Sequence, residues 1–296
     1  MSLKAPRLII AEATARQVLA EMKIDRLPVD PIAIARGKDI MVQAKPPADD
    51  GFSGMLARVG ETYGILYSTF IDNEGFQNFS VAHELGHYFL SGHMEHVLRT
   101  GQHHSRAGFG SADPYEQEAD FFAAALLMPE DLIKPLLKRN DDGFALVQRV
   151  AGECRASLTA AAIRYARLTK SAVAVVVSTD GIVNFTIVSD GMKDAKVRWL
   201  RPGSAIPSSS VTAQFIAEEG NVRNAQSAAG TANLSEWFEC PTSHDVTEEV
   251  VGLGSYGKTL TVIHSSRLTL AADGLDDEER EQDDFRDSWT PRFHKR

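Results

Sequence analysis

The chain has 296 residues, 43% of them hydrophobic and 24% charged, which is the balance of a globular protein with room for two modest domains or one large one. No apolar run approaches the roughly 20 residues of a membrane span, and the N-terminal stretch MSLKAPRLIIAEATARQVLAEM breaks too soon into Glu12, Arg16 and Glu21 to read as a signal peptide. The two cysteines, Cys154 and Cys240, are far apart and in no metal-like spacing, so they read as structural thiols in a reduced, cytoplasmic setting.

The periodicity predicts a first helix over 8–23, with Ile10, Val18, Leu19 and Met22 near one face. Pro28 and Pro31 bracket a turn, and DPIAIARG starts a short helix that stops at Gly37. Three extended pieces follow, DIMVQA (39–44), FSGMLARV (52–59) and TYGILYS (62–68), the last two spaced as a hairpin. A helix carrying His83 and His87 comes next and ends near Gly92. Residues 99–114 are rich in Gly, Ser and polar groups and read as a loop. The helix PYEQEADFFAAALLMP has Asp113 as its N-cap and Pro114 at its first position, and it stops before Pro129. Residues 130–169 read as all helical. From 171 the pattern turns to β: SAVAVVVSTDGIVNFTIVS is two strands joined by Asp180-Gly181, VTAQFIAEEG (211–220) is weakly helical, and KTLTVIHSS (258–266) is a strand.

These elements predict an α+β chain in four parts: an N-terminal domain over 1–130, a helical connector over 131–170, a C-terminal α+β domain over 171–270, and a tail over 271–296. The net charge of −9 is concentrated in that tail, where residues 273–287 hold nine carboxylates against Arg280 and Arg286. Such a segment reads as solvated and disordered, and Trp289 and Phe293 beyond it offer anchors for a basic partner.

Chemistry is concentrated in NFSVAHELGHYFLSGH, residues 78–93. On a helix His83 and His87 lie on one side, about 6 Å apart along the axis, where two neutral imidazoles can face one divalent ion. Nitrogen and oxygen ligation suits zinc, and does not exclude manganese or iron. Glu84 sits about 100° round the helix, so it misses the ion and reaches the water beside it, as the general base of carbonyl hydrolysis. A catalytic zinc keeps three protein ligands and one open position. Downstream, Glu116 and Asp120 are four apart and share a face, so one can ligate while the other holds a ligand imidazole from behind. Glu118 lies on a different face and is the alternative ligand.

Taken together, LPVDPIAIARG (27–37), FSGML (52–56), NFSVAHELGHYFL (78–90) and YEQEADFFAAALLMP (115–129) resemble the ImmA/IrrE family of metallopeptidases. The resemblance implies a minimal thermolysin-like zincin domain in which His83, His87 and Glu116 bind zinc, Glu84 is the base and Asp120 buttresses a histidine. It implies a site-specific endopeptidase that cuts helix-turn-helix transcriptional repressors and so relieves repression of stress or mobile-element genes. Substrate backbone would add to an edge strand, for which FSGMLARV is the candidate. The long loop over 91–114 carries His93, His96, His103 and His104, to which no motif assigns a role, and the C-terminal domain is similar to the sensor-like tails of some members.

A different function class is also written in the chain. Residues 144–168 loosely resemble helix-turn-helix spacing, with Arg164 and Arg167 on the second helix, as in a DNA-binding transcriptional regulator that retains a metal site. The acidic chain and the scarcity of clustered cations there argue against direct nucleic-acid binding.

Overall fold

The computed structural model describes residues 5–47, 51–97, 102–106, 113–137, 143–194, 196–198, 200–240 and 243–265. The acidic tail, with Trp289 and Phe293, lies outside the described residues, as do the side chains of His103 and His104. The chain divides into two compact units, Met1–Leu136 with Arg149–Ala161, and Leu137–Gln148 with Ala162–Arg296. The helices read as a connector over 131–170 are thus shared out between both units. The fold is α+β, with eleven α-helices and two sheets among the described residues. No described helix is long and apolar enough to cross a membrane.

The first unit opens with helix α1 (Leu8–Glu21) and helix α2 (Pro31–Arg36). The Asp30 carboxylate accepts from the Ile32 and Ala33 amides at 2.9 and 3.0 Å, so the turn read from the prolines is a capped helix start. Strands β1 (Met41–Lys45), β2 (Phe52–Val59) and β3 (Thr62–Ser68) lead to helix α3 (Glu74–Phe89), the short helix α4 (His93–Val97) and strand β4 (Gln102–Arg106). Helices α5 (Pro114–Leu127) and α6 (Glu130–Leu137) follow.

The sheet order is β1-β3-β2-β4, with β1 parallel to β3 and the other pairs antiparallel. Two expectations are corrected here. FSGMLARV is not an edge strand, because β3 bonds to one side of it and β4 to the other. Nor is the polar stretch 99–114 all loop: its middle is the strand that covers that edge, pairing Gly54 with Ser105 and Leu56 with His103. Its polar composition hid it, since a strand on a sheet margin needs no alternating apolar residues.

Helix α3 packs against both this sheet and α5, and α1 packs on α5 and touches α3. Leu56, Ile65, Val81, Ala82, Leu85, Ala119, Phe122, Ala123 and Leu126 are all buried there. Each of the larger ones contributes about 1.5–3 kcal/mol through removal from water. Gly86 makes the closest crossing: a methyl group at this position would lie 3.0 Å from the Ala119 α-carbon. The glycine of HELGH thus sets how near the two site-bearing helices come.

Helix α7 (Gly143–Cys154) and helix α8 (Leu158–Leu168) lead to the second unit's sheet. Strands β5 (Ala172–Thr179) and β6 (Ile182–Val188) form a hairpin whose turn residues, Asp180 and Gly181, both have positive φ (50° and 76°). Helices α9 (Asp190–Lys193) and α10 (Val211–Ala217), strand β7 (Ser227–Asn233), helix α11 (Leu234–Trp237), strand β8 (Asp245–Gly252), a short 3-10 turn and strand β9 (Lys258–Ser265) complete it. The antiparallel order β6-β5-β9-β8-β7 buries Ala174, Val176, Trp237, Phe238 and Ile263 in one cluster. In the same unit Glu248, fully buried, accepts from the Thr212 amide and hydroxyl, both at 2.7 Å, and from the Trp237 indole at 2.9 Å.

Candidate metal centre

The site is built where two capped helices meet. Asn73 caps α3 by accepting from the Phe76 amide at 2.9 Å, and Asp113 caps α5 by accepting from the Tyr115 amide at 2.9 Å. These caps start each helix at a fixed residue, and helical spacing then places His83 and His87 on one stripe and Glu116 opposite them. The His83 and His87 Nε2 atoms lie 3.0 Å apart. Glu116 reaches His83 Nε2 at 3.4 Å with one oxygen and His87 Nε2 at 3.2 Å with the other. Among the described residues these three form the group of donors able to hold a metal ion.

The donor set fits such an ion. Zinc holds nitrogen and oxygen donors at about 2.0–2.1 Å in a tetrahedron, whose edges are therefore roughly 3.3 Å. The three observed separations, two of them to different oxygens of Glu116, fall around that value. Lone pairs of two imidazoles and a carboxylate that face one another repel unless positive charge lies between them. His83 reports the same field: burial works against its proton, but the carboxylates of Asp120 and Glu116 outweigh burial and hold the imidazole well above its usual range. The pocket attracts positive charge despite being nearly closed to water, since His83, Glu84 and His87 are all buried.

Behind the ring of donors, Asp120 Oδ1 lies 2.8 Å from His83 Nδ1. In the neutral ring a proton on that Nδ1 leaves Nε2 bare toward Glu116 and His87. Burial raises the Asp120 carboxyl from its ordinary value even with His83 pulling it down. Glu118 lies elsewhere: it binds Arg7 and His93, so it does not join the three convergent donors. Glu84 also reaches the sheet, where the Ser105 hydroxyl donates to its Oε1 at 2.6 Å. Gly54 makes room for this carboxylate, since a methyl group there would sit 2.7 Å from Oε1.

Ser105 and Arg7 carry no signal in the sequence reading, and His93 stands there without a role. Ser105 lies on β4, whose polar composition reads as loop. Arg7 lies at the head of α1, 111 residues from its partner Glu118. His93 follows a turn at Gly92, whose φ of 86° folds the chain back toward α3. The Ser-Gly pair after the helix signals that reversal, though not the contact it makes. His96, also on α4, stacks on Tyr115 with ring centroids 3.9 Å apart and holds that short helix against α5.

Comparison with known proteins adds two findings. Residues 35–165 match a protein family described as the IrrE N-terminal-like domain, Peptidase_M78. A solved structure titled a Mycobacterium tuberculosis transcriptional regulator shares the fold at a TM-score of 0.56, with 12% sequence identity over 90% of this chain and 93% of that one. No curated protein matches the chain.

Proposed function

We propose, from the premise that residues 35–165 belong to the ImmA/IrrE family of peptidases, that this chain is a zinc-dependent, site-specific endopeptidase. The observation that carries the reading is the convergence of His83, His87 and Glu116 within tetrahedral spacing, with Glu84 beside them on the same helix. Zinc suits this donor set, and manganese or iron would be held by the same three residues. Bound there, the ion supplies Lewis acidity to a scissile carbonyl and to water. Glu84 takes the proton from the attacking water and returns it to the departing amine. Asp120 keeps the His83 proton on Nδ1, so Nε2 stays a donor of electrons. Ser105 orients Glu84 through its hydroxyl.

A peptide substrate would add its backbone to the outer margin of β4, because β2 is already paired on both sides. The substrate is a helix-turn-helix repressor in the cytoplasm, and cutting it relieves repression of stress genes. This part rests on the family. Incubating the full chain with zinc and candidate repressors, followed by mass spectrometry of fragments, tests it. Discrete fragments that vanish with Glu84→Gln support the reading, and intact repressors throughout would oppose it.

The fold shared with a transcriptional regulator is compatible with a second reading, a DNA-binding regulator that keeps a metal site. Of the two arginines on α8, Arg164 is buried, which leaves Arg167 for that role, and a gel shift that weakens steeply with salt would support it.

A further inference from the structure

One histidine outside the donor set stands in direct line with it. His87 Nδ1 lies 3.1 Å from His93 Nδ1, and His93 Nε2 lies 3.1 Å from Glu118 Oε2. Both imidazoles are fully buried. Glu118 is in turn gripped by Arg7, whose Nη2 donates to Oε2 at 2.8 Å and whose backbone amide donates to Oε1 at 2.9 Å. Arg7 also donates to the Ser91 carbonyl at 2.9 Å, closing the turn that carries His93. The Tyr115 ring meets His93 edge-on at 5.0 Å, so the imidazole has a fixed plane.

This geometry permits one arrangement of protons that leaves His87 able to ligate. For His87 Nε2 to face an ion with its lone pair, Nδ1 must carry the hydrogen. That hydrogen is donated to His93 Nδ1, which must then be bare. The His93 proton therefore sits on Nε2 and is donated to Glu118, a carboxylate whose charge Arg7 balances. We propose that His93 is a positioning residue for His87, with Glu118 and Arg7 setting its tautomer from behind. The proposal rests on the reading of His83, His87 and Glu116 as metal ligands. It gives the second ligand histidine a support that differs from the first: His83 leans on a carboxylate directly, whereas His87 reaches one through a second imidazole.

Glu118 is well suited to the far end. Its two oxygens lie within hydrogen-bond reach of His93 on one side and Arg7 on the other. Partners behind a ligand histidine contribute about 10–100-fold to metal affinity.

The test is zinc affinity of the full chain by competition with a coloured chelator, alongside the melting temperature of the metal-free protein. Two variants separate the bonds of His93. In His93→Asn the amide oxygen stands where Nδ1 stood and can still accept from His87. In His93→Gln the amide nitrogen stands where Nε2 stood and keeps only the bond to Glu118. The expected result is that His93→Gln loses at least tenfold in affinity while His93→Asn loses clearly less, at similar melting temperatures. Equal affinity in the wild type and His93→Gln would overturn the proposal. So would affinities that follow the melting temperature alone, because that pattern marks mere packing. Should His93→Gln not fold, Arg7→Ala is measured instead, with a severalfold loss expected and no loss overturning the proposal. Failure of the wild type itself to bind zinc would remove the metal reading, a result distinct from any of these.

Discussion

Each unit of this chain holds a carboxylate among buried polar groups, and the two are bonded in opposite senses. In the second unit Glu248 accepts from the Thr212 amide, the Thr212 hydroxyl and the Trp237 indole, so its charge is met by donors on both oxygens. In the first unit Glu116 faces the Nε2 atoms of two histidines, one of which has its proton drawn to the opposite nitrogen by Asp120. Buried polarity alone therefore does not mark a functional site. A satisfied cluster joins elements of a fold, here α10, α11 and β8, whereas acceptors turned toward one another call for a cation.

The comparison can be broken at several points. The largest effect is expected from Glu84→Gln, which should lower the cleavage rate by about 10²–10⁴-fold while zinc content stays at the wild-type level. Retained cleavage would remove Glu84 as the base. Asp120→Ala should weaken zinc binding by about 10–100-fold, measured by chelator competition, because His83 loses the partner that fixes its tautomer. Glu248→Ala should leave zinc binding unchanged and destabilise the protein by about 1–3 kcal/mol in denaturant titration, since three buried donors lose their acceptor. A neutral outcome would mean that cluster joins nothing.

The smallest effect concerns Glu249. Burial opposes its charge, but the His264 imidazole 3.1 Å away and the hydrogen bond from the Phe144 amide hold its carboxyl below the usual value of 4.5. A lowered carboxyl stabilises the fold at pH above the unfolded value, and that contribution fades as pH falls through the folded one. Melting curves between about pH 6 and 3 should therefore show a steeper acid loss in the wild type than in Glu249→Gln. Parallel curves would contradict the assignment.

What could be read from the sequence divides along the same physical line. Helices, the Asp113 cap and the Asp180-Gly181 turn are local, and they stand where side-chain spacing puts them. The facing of Glu116 and Asp120 along α5 is equally a matter of helical period. Strands β7 and β8 were not read, because SAAGTAN and DVTEEVVG carry small or charged residues where an alternating apolar pattern is expected. Edge against interior cannot be read from one strand, since β2 owes its interior place to β4, 43 residues or more downstream. The bond from His93 to His87 and the bond from Arg7 to Glu118 depend on how the turn at Gly92 and the head of α1 close in space, which no local pattern encodes.

The account depends most on residue 116. Elemental analysis of the purified full chain should find one equivalent of bound divalent metal in the wild type. Glu116→Ala, dialysed against the same weak chelator, should retain almost none, while keeping the wild-type circular dichroism spectrum. A Glu116→Ala protein that holds its metal as firmly as the wild type would show that the two histidines and this carboxylate do not share an ion.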